Sequence, residues 1–524
     1  MLGYNKLRRK RPLSTREITF MRVLMLGWEF PPFITGGLGT ACYGLTRALD
    51  NQGVEVLFVL PGRTDPEAVS HLRLVSPDMQ TPESSKATPA QPEEIVETVE
   101  VTEKIATSAP DVVLPDHYQE GEWTEFQNTR FVRIPTPLTH PYQTSVDDQV
   151  VGLQGTQFRQ EPGMMIPGHR IPGVPIENEV TKEKRIINGD LDISDDELDD
   201  SETPASSGDG DYGGNLMDQV EAYARFATRA AAKEEFDVIH AHDWMTFPAG
   251  LMLARRTGRP LVVHVHSTEF DRSGENVNQQ VYDIERRGMH GAIKVITVSR
   301  LTKNIATTRY GISPNKVSVV YNGINLDPVA SGMTPIGRRE KIVLYMGRIT
   351  FQKGPEYFIR SAARVLQVMK NVRFVIAGSG DMYKRCIELA AELGIGHKIL
   401  FTGFLRGKDI DRVFSMANLY VMPSVSEPFG IAPLEALSHD VPALISKSSG
   451  VSEVLTHALK VDFWDTEAMA DKIVAVLKHP PLSQTLRRHA AIEVRQLTWE
   501  GAAANCRRVY EEAIQSLGMP LQSP

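Results

Sequence analysis

Cysteine is scarce in this chain: three in 524 residues, Cys42, Cys386 and Cys506. They lie far apart and form no CxxC pair, which excludes a disulfide framework and a thiolate zinc centre. Free thiols imply a reducing compartment, so a cytoplasmic location is expected. Long apolar runs are missing too. No stretch reaches the roughly 18 residues needed to span a bilayer. The basic cluster Arg8-Arg9-Lys10-Arg11 is not followed by the apolar segment of a signal peptide. Positive charge is not in excess: 57 Lys and Arg against 65 Asp and Glu leave a net charge of −8. The overall field therefore offers nothing to nucleic acid. No repeat of solenoid period is visible.

What is present is a globular composition, 41% hydrophobic and 23% charged, in a chain long enough for two domains with full cores. Residues 1–20 read as a basic, disordered arm, and Met21 directly precedes the first strand. Residues 21–27 form a continuous apolar run, as a strand buried on both faces does. A Gly-rich turn, Gly36-Gly37-Leu38-Gly39, opens a helix to about Asp50, and a second strand follows at 54–60. This unit starts a parallel, doubly wound sheet. Residues 63–215 read as an insertion. Within it, 76–111 is rich in Pro, Ser, Thr and Glu, and 190–211 is almost purely acidic and polar. Neither tract buries enough apolar surface to order itself. Residues 130–134 read as a strand of the first domain, followed by a loop around His140 to Tyr142. The Asp190-x-Asp192 and Asp209-x-Asp211 pairs have the form of a metal-binding DxD, but they sit in low-complexity acid and read as solvated charge.

Regular structure resumes near Leu216. A strand at 236–239 ends in His240-Ala241-His242-Asp243-Trp244, and a strand at 261–266 ends in His266. Alternate residues of a strand share a face, so His240 and His242 converge, but with Asp243 they lack a third zinc ligand at a known spacing. Strands at 293–299 and 317–321 and a helix over 304–310 complete the first domain, 21–330; residues 323–340 are a linker. The second domain, 335–498, opens with a strand at 341–346 and then Gly347-Arg348, with Lys353-Gly354 beyond. Arg348 offers a bidentate fork for phosphate oxygens and Lys353 a movable point charge. After a strand at 372–377 comes Gly378-Ser379-Gly380. A dinucleotide fingerprint needs glycine at 383, where Tyr383 stands, so a nicotinamide cofactor is not indicated. A strand at 419–422 leads to the stretch 424–437, SVSEPFGIAPLEAL. It reads as a loop and a helix over 431–438 with an apolar face at 431, 434 and 437. Gly430 lets a ligand approach the backbone, and the first helical amides form an anion site. Glu427 and Glu435 flank that site, one carboxylate for hydroxyls on each side. Helices are expected at 409–416, 466–478, 483–495 and 499–517.

Ser424, Glu427, Pro428, Phe429, Gly430, Leu434, Glu435 and Ala436 match the E-x7-E motif of retaining glycosyltransferases. The chain resembles the group 1 and glycogen-synthase type over residues 21–62 and 216–515. The resemblance implies an α/β fold of GT-B type: two Rossmann-like doubly wound domains facing a cleft, with a partly disordered insertion in the first. It implies transfer of a hexose, glucose above all, from a nucleotide-sugar such as ADP-glucose or UDP-glucose to a glycan acceptor, without metal or other cofactor. Other acceptors, other hexoses and a nucleotide-sugar epimerase on the same fold remain open. By resemblance, His266 lies beside the transferred sugar and Glu427 holds one of its hydroxyls. Arg348 and Lys353 hold the diphosphate with the backbone around Gly430 and Ile431. Glu435 takes the ribose, Leu405 and its neighbours Phe404 and Arg406 line the base pocket, and Phe429 belongs to the donor site. Gly37 and Leu38 match a K-x-G-G-L loop facing the donor, with Ile34 where that motif has lysine. His242 and Asp243 match an H-x-H-D-W run near sugar or acceptor. The terminal helix, 499–517, is expected to cross back to the first domain.

Overall fold

The computed structural model describes residues 21–31, 36–62, 119–120, 126–135, 214–325 and 340–518. The arm, the two low-complexity tracts with their acidic pairs, Ile34 and the His140–Tyr142 loop lie outside the described residues. Two sheets organise the rest. The first holds β1 (Arg22–Leu26), β2 (Glu55–Gly62), β3 (Gln119–Glu120), β4 (Thr129–Pro135), β5 (Val238–His242), β6 (Leu261–Val265), β7 (Lys294–Thr297) and β8 (Val317–Val319). Its order is β3-β4-β2-β1-β5-β6-β7-β8, parallel except for β3. The second holds β9 (Lys341–Met346), β10 (Val372–Ala377), β11 (Ile399–Gly403), β12 (Leu419–Met422), β13 (Ala443–Ser446) and β14 (Leu459–Val461). Its order, β11-β10-β9-β12-β13-β14, is parallel throughout.

The central strands are buried along their whole length because helices cover both faces, and they are apolar apart from the histidines of β5 and β6 and Ser446 of β13. All five residues of β5 and of β6 are buried, as are all four of β12 and of β13. That is the pattern of parallel sheets, in contrast to the alternation of a half-exposed one. In each sheet the strand order reverses beside the first strand, at β1/β5 and at β9/β12. Ligands of open α/β sheets bind beyond the carboxyl ends of strands at such a reversal. The loops after β9 and β12 are those of Arg348, Lys353, Glu427 and Gly430.

Some helix starts differ from expectation. The helix expected from 304 runs over Arg300–Thr308, because Ser299 accepts a hydrogen bond from the Thr302 amide and caps it. The helix expected from 483 is Pro480–Val494, with prolines in its first turn, where a missing N–H costs nothing. The motif helix is Ala432–Ser438.

The terminal helix, Trp499–Ser516, packs on the first sheet. Trp499, Ala503, Cys506, Tyr510 and Ile514 share a core with Val23, Val238 and Val262. A Cβ on Gly44 would stand 2.2 Å from the Trp499 ring, so only glycine admits that close approach. The two domains also meet directly. Glu453 of the second accepts from the Arg300 and Leu301 amides of the first at 2.9 and 2.7 Å, and Ser426 donates to Asp271 at 2.6 Å.

Candidate active site

The two loops beyond β9 and β12 are tied into one lip. The Val425 amide donates to the Gln352 carbonyl at 2.9 Å. Gly354 has φ 65°, and a Cβ there would stand 2.2 Å from the Pro423 carbonyl oxygen. Across this seam the Lys353 ammonium meets the Glu427 carboxylate at 2.7 Å. Ser424 donates to the same oxygen at 3.3 Å. Glu427 is held by its backbone as well: its amide donates to the Ser448 carbonyl and its carbonyl accepts from Gly450, at 3.0 and 2.9 Å. Arg348 donates to Gln352 at 3.4 Å, while the Tyr345 hydroxyl donates to the Arg348 carbonyl at 2.7 Å. Gly430 has φ 100°, reserved in practice for glycine, and turns the chain into the motif helix. The amides of Gly430, Ile431 and Ala432 donate to no acceptor among the described residues.

Glu435 stands on the first turn of that helix. Burial holds its carboxyl above the usual carboxylate range; His439 opposes the shift and Asp411 adds to it. Phe429 is buried in the core, 6.1 Å from Tyr321, so only its backbone is available to a ligand. Leu405 is half-buried, beside an exposed Phe404 ring with the Arg406 guanidinium 5.3 Å from its centroid. Gly378 and Gly380 are not a phosphate cradle. Their Cβ positions would lie 1.9 and 2.4 Å from the carbonyl oxygens of Gly347 and Ile349, so they let one loop pack on the other.

The first domain contributes the ends of β5 and β6. Asp243 follows β5 with φ 57°, a strained conformation for a residue with a Cβ. The carboxylate accepts from the His266 amide at 2.6 Å and the Ser267 amide at 3.4 Å, fixing the turn that carries His266. Burial pushes its carboxyl up to about 7. The His266 ring is hydrogen-bonded to His242, Nε2 to Nδ1 at 2.9 Å, and burial lowers its pKa to about 3, so it is neutral. Gly37 and Leu38 begin the helix Gly37–Asn51; Leu38 packs against the core, while a Cβ on Gly37 would meet nothing within 4 Å.

The structure thus joins Arg348, Lys353, Glu427, Gly430, Ile431 and Glu435 along one lip, and Asp243, His242 and His266 on the facing domain. Three contributors were missed from the sequence: Gln352, which braces Arg348, and Ser426 and Asp271, which join the lips; Ser424, named there as a motif match without a role, braces Glu427. Ser424 and Ser426 lie inside the motif. Asp271 has no local signal, because its partner Ser426 comes from the other domain; Gln352 lies four residues from Arg348 on the same loop, and only its carbonyl bond to Val425 comes from another.

Three families match in succession: Starch synthase catalytic domain over residues 22–127, Glycosyltransferase Family 4 over 215–328, and Glycosyl transferases group 1 over 332–492. An uncharacterized glycosyltransferase of Methanocaldococcus jannaschii is 33% identical over 304 residues, spanning 54% of this chain and 77% of that one. A D-inositol 3-phosphate glycosyltransferase of Kribbella flavida is 28% identical over 330 residues, 58% of this chain and 78% of the relative. Among solved structures, a sucrose-phosphate synthase of Thermosynechococcus elongatus superposes with a TM-score of 0.60 at 17% identity, covering 95% of this chain and 100% of the other, a likeness of fold.

Proposed function

The chain belongs to the group 1 glycosyltransferases of GT-B fold, and on that premise we propose that it moves a hexose, glucose first, from a nucleotide-diphosphate sugar to a glycan hydroxyl with retention of configuration. One observation carries the reading. At the strand-order reversal of the second sheet, Lys353 and Glu427 meet at 2.7 Å beside Arg348 and the free amides of Gly430 and Ile431. This is a cationic and amide-lined seat for a diphosphate with a carboxylate at its edge.

Departure of the nucleotide puts charge on the β-phosphate. Fixed donors aimed at developing charge are the largest catalytic term in most enzymes. Arg348, Lys353 and the amides supply that term without a bound cation. Glu427 accepts from a sugar hydroxyl and His266 from another, and Asp243 positions His266 through its amide. No side chain here is placed as a covalent nucleophile. The departing phosphate itself takes the acceptor's proton while the acceptor attacks from the same face. Closure of the domains along the Ser426–Asp271 contact keeps water from the donor.

The direct test is a product screen of ADP-glucose, UDP-glucose and GDP-mannose, each with and without glycogen. Elongated glycan with released nucleoside diphosphate supports the reading. An interconverted sugar still joined to its nucleotide, formed without acceptor, makes the protein an epimerase. A small phosphorylated acceptor is the second reading, favoured by the inositol-phosphate relative. It predicts turnover with inositol phosphate and none with glycogen. Transfer is expected to run equally in excess EDTA and with added Mg²⁺ or Mn²⁺; a rate that vanishes with EDTA and returns with Mn²⁺ sinks the metal-free mechanism.

Glu435 allows a pH test. Its ionised carboxylate accepts from the ribose hydroxyls, and its pKa lies above the ordinary 4.5. Donor KM therefore rises as pH falls through that raised pKa, because the protonated form has lost its charge. Glu435→Gln raises donor KM above that pKa, where the native carboxylate is charged, and flattens the profile. An unaltered profile in the variant removes Glu435 from the donor site.

A further inference from the structure

The face of the first sheet beneath the terminal helix carries a histidine cluster that glycosyl transfer uses only at its edge, at His266 and its partner His242. β5 and β6 are parallel neighbours with His242 and His264 opposite each other in register. Alternate residues share a face, so His240, His242, His264 and His266 come together. The rings of His240 and His264 lie 5.3 Å apart, those of His242 and His264 5.4 Å. His240, His242 and His264 are buried.

The hydrogen bonds leave a gap. The Tyr510 hydroxyl pairs with His240 Nδ1 at 2.7 Å, and His240 Nε2 with His264 Nδ1 at 3.2 Å. His242 Nδ1 pairs with His266 Nε2 at 2.9 Å. The Nε2 atoms of His242 and His264 are buried and have no partner. Buried polar atoms are almost always satisfied, and an orphan needs a physical reason. Here there are two, on rings opposite each other. Each ring is oriented by a hydrogen bond at Nδ1 and presents a bare Nε2, which is the arrangement of metal-ligating histidines. One nitrogen from each of His240, His242 and His264 falls within 4.8 Å of the others. The third ring comes from the neighbouring strand, which is why spacing along β5 alone shows only two.

We propose that His240, His242 and His264 bind one borderline transition-metal ion of the zinc class as a structural centre clamped between the sheet and the terminal helix. Neutral imidazole suits zinc, copper and nickel and does not suit magnesium or manganese. Tetrahedral zinc with bonds of about 2.0–2.1 Å brings its ligand nitrogens to roughly 3.4 Å, so the rings tilt inward on binding. Binding exchanges the His240–His264 hydrogen bond for metal bonds: His240 turns Nε2 to the ion while Tyr510 keeps its Nδ1, and His264 is then oriented by the ion itself. Tyr510 thereby links the ion to the packing of Trp499–Ser516. The site lies apart from the lip that holds Lys353 and Glu427, and it meets the mechanism above at one point, the hydrogen bond from His242 to His266.

The test uses the full chain, stripped of metal and titrated with zinc, with metal content, competition with a chromophoric chelator and melting temperature as readouts. One zinc per chain is expected, with a Tm rise of several degrees, no response to Mg²⁺ or Mn²⁺, and d–d bands of a tetrahedral nitrogen site when Co²⁺ replaces zinc. His264→Phe keeps the ring volume and removes the nitrogen; it should lose both zinc and the Tm response. Independently of any variant, X-ray absorption at the zinc edge should count three imidazoles. Failure to bind zinc, equal binding by His264→Phe, or fewer than three imidazoles overturns the proposal. So does loss of zinc on Cys42→Ala with retention in His264→Phe, because that outcome selects the neighbouring trio Cys42, His242 and His266.

Discussion

Lys353→Ala lowers kcat roughly 100-fold, the usual loss when one fixed donor to developing charge is removed, or about 2.7 kcal/mol of barrier. The ammonium is 20% exposed and sits 2.7 Å from a Glu427 carboxylate that is 9% exposed. Without the lysine, the Glu427 carboxylate is left without its cation in a lip built to receive a diphosphate. The variant thus loses an attraction and gains a repulsion, and both grow as charge moves onto the leaving group. Turnover falls more than donor KM rises for that reason. The pair is also one unit: Lys353→Ala on a Glu427→Gln background costs less than on the native protein, because the repulsion has gone. Lys398→Ala is the control. That lysine pairs with Glu340 at 2.6 Å at the opposite, amino-terminal end of the second sheet, and its loss should leave kcat within about twofold, because it belongs to neither lip. Steady-state kinetics on the native protein and the four variants decides the matter. An unchanged kcat in Lys353→Ala removes the lysine from the chemistry, and a loss confined to KM makes it a binding group only.

The fold was legible because its signal is coarse. A strand buried on both faces is mostly apolar, so β1, β9 and β12 stand out in the sequence whatever their neighbours. The cations just past β9 and the carboxylates past β12 could be placed for the same reason: a loop after a buried parallel strand has to emerge at the carboxyl edge of the sheet. What was illegible depends on the distance between loops. Phe429 reads as part of the donor site, but its ring turns into the core beside Tyr321, and nothing local distinguishes the two directions. Ser426 and Asp271, 155 residues apart in sequence, meet only once the domains face each other. His264 becomes the third imidazole of a cluster only when β6 lies beside β5 in the observed register. Gly378 and Gly380 look like a fragment of a nucleotide fingerprint, and their use is steric. Each lets a carbonyl of the Arg348 loop approach where a side chain would stand.

That steric role yields the largest stability effect expected of a single methylene-sized change. Gly378→Ala places a Cβ 1.9 Å from the Gly347 carbonyl oxygen, at a φ of 143° that residues with a Cβ rarely adopt. The obstacle is backbone, which cannot rotate aside as a flexible side-chain tip can. Backbone strain of roughly 1–3 kcal/mol and overpacking of roughly 1–3 kcal/mol together give a loss of roughly 2–6 kcal/mol. For a unit of this size that is a Tm decrease of roughly 5–25 °C. The loop has one direction of relief, away from β10, which carries Arg348 and Gln352 with it and loosens the seam that seats Lys353 against Glu427. Turnover should therefore fall even at temperatures where the variant is fully folded. Gly394→Ala separates the contributions: Gly394 has φ 69°, and a Cβ there would meet nothing within 4 Å. It bears the conformational strain alone and lies on the loop before β11, so it should cost about 1 kcal/mol and leave kcat intact. Equal melting temperatures for the two variants would show that the Arg348 loop does not rest on Gly378, and the rigid positioning of the phosphate-binding groups would lose its structural basis.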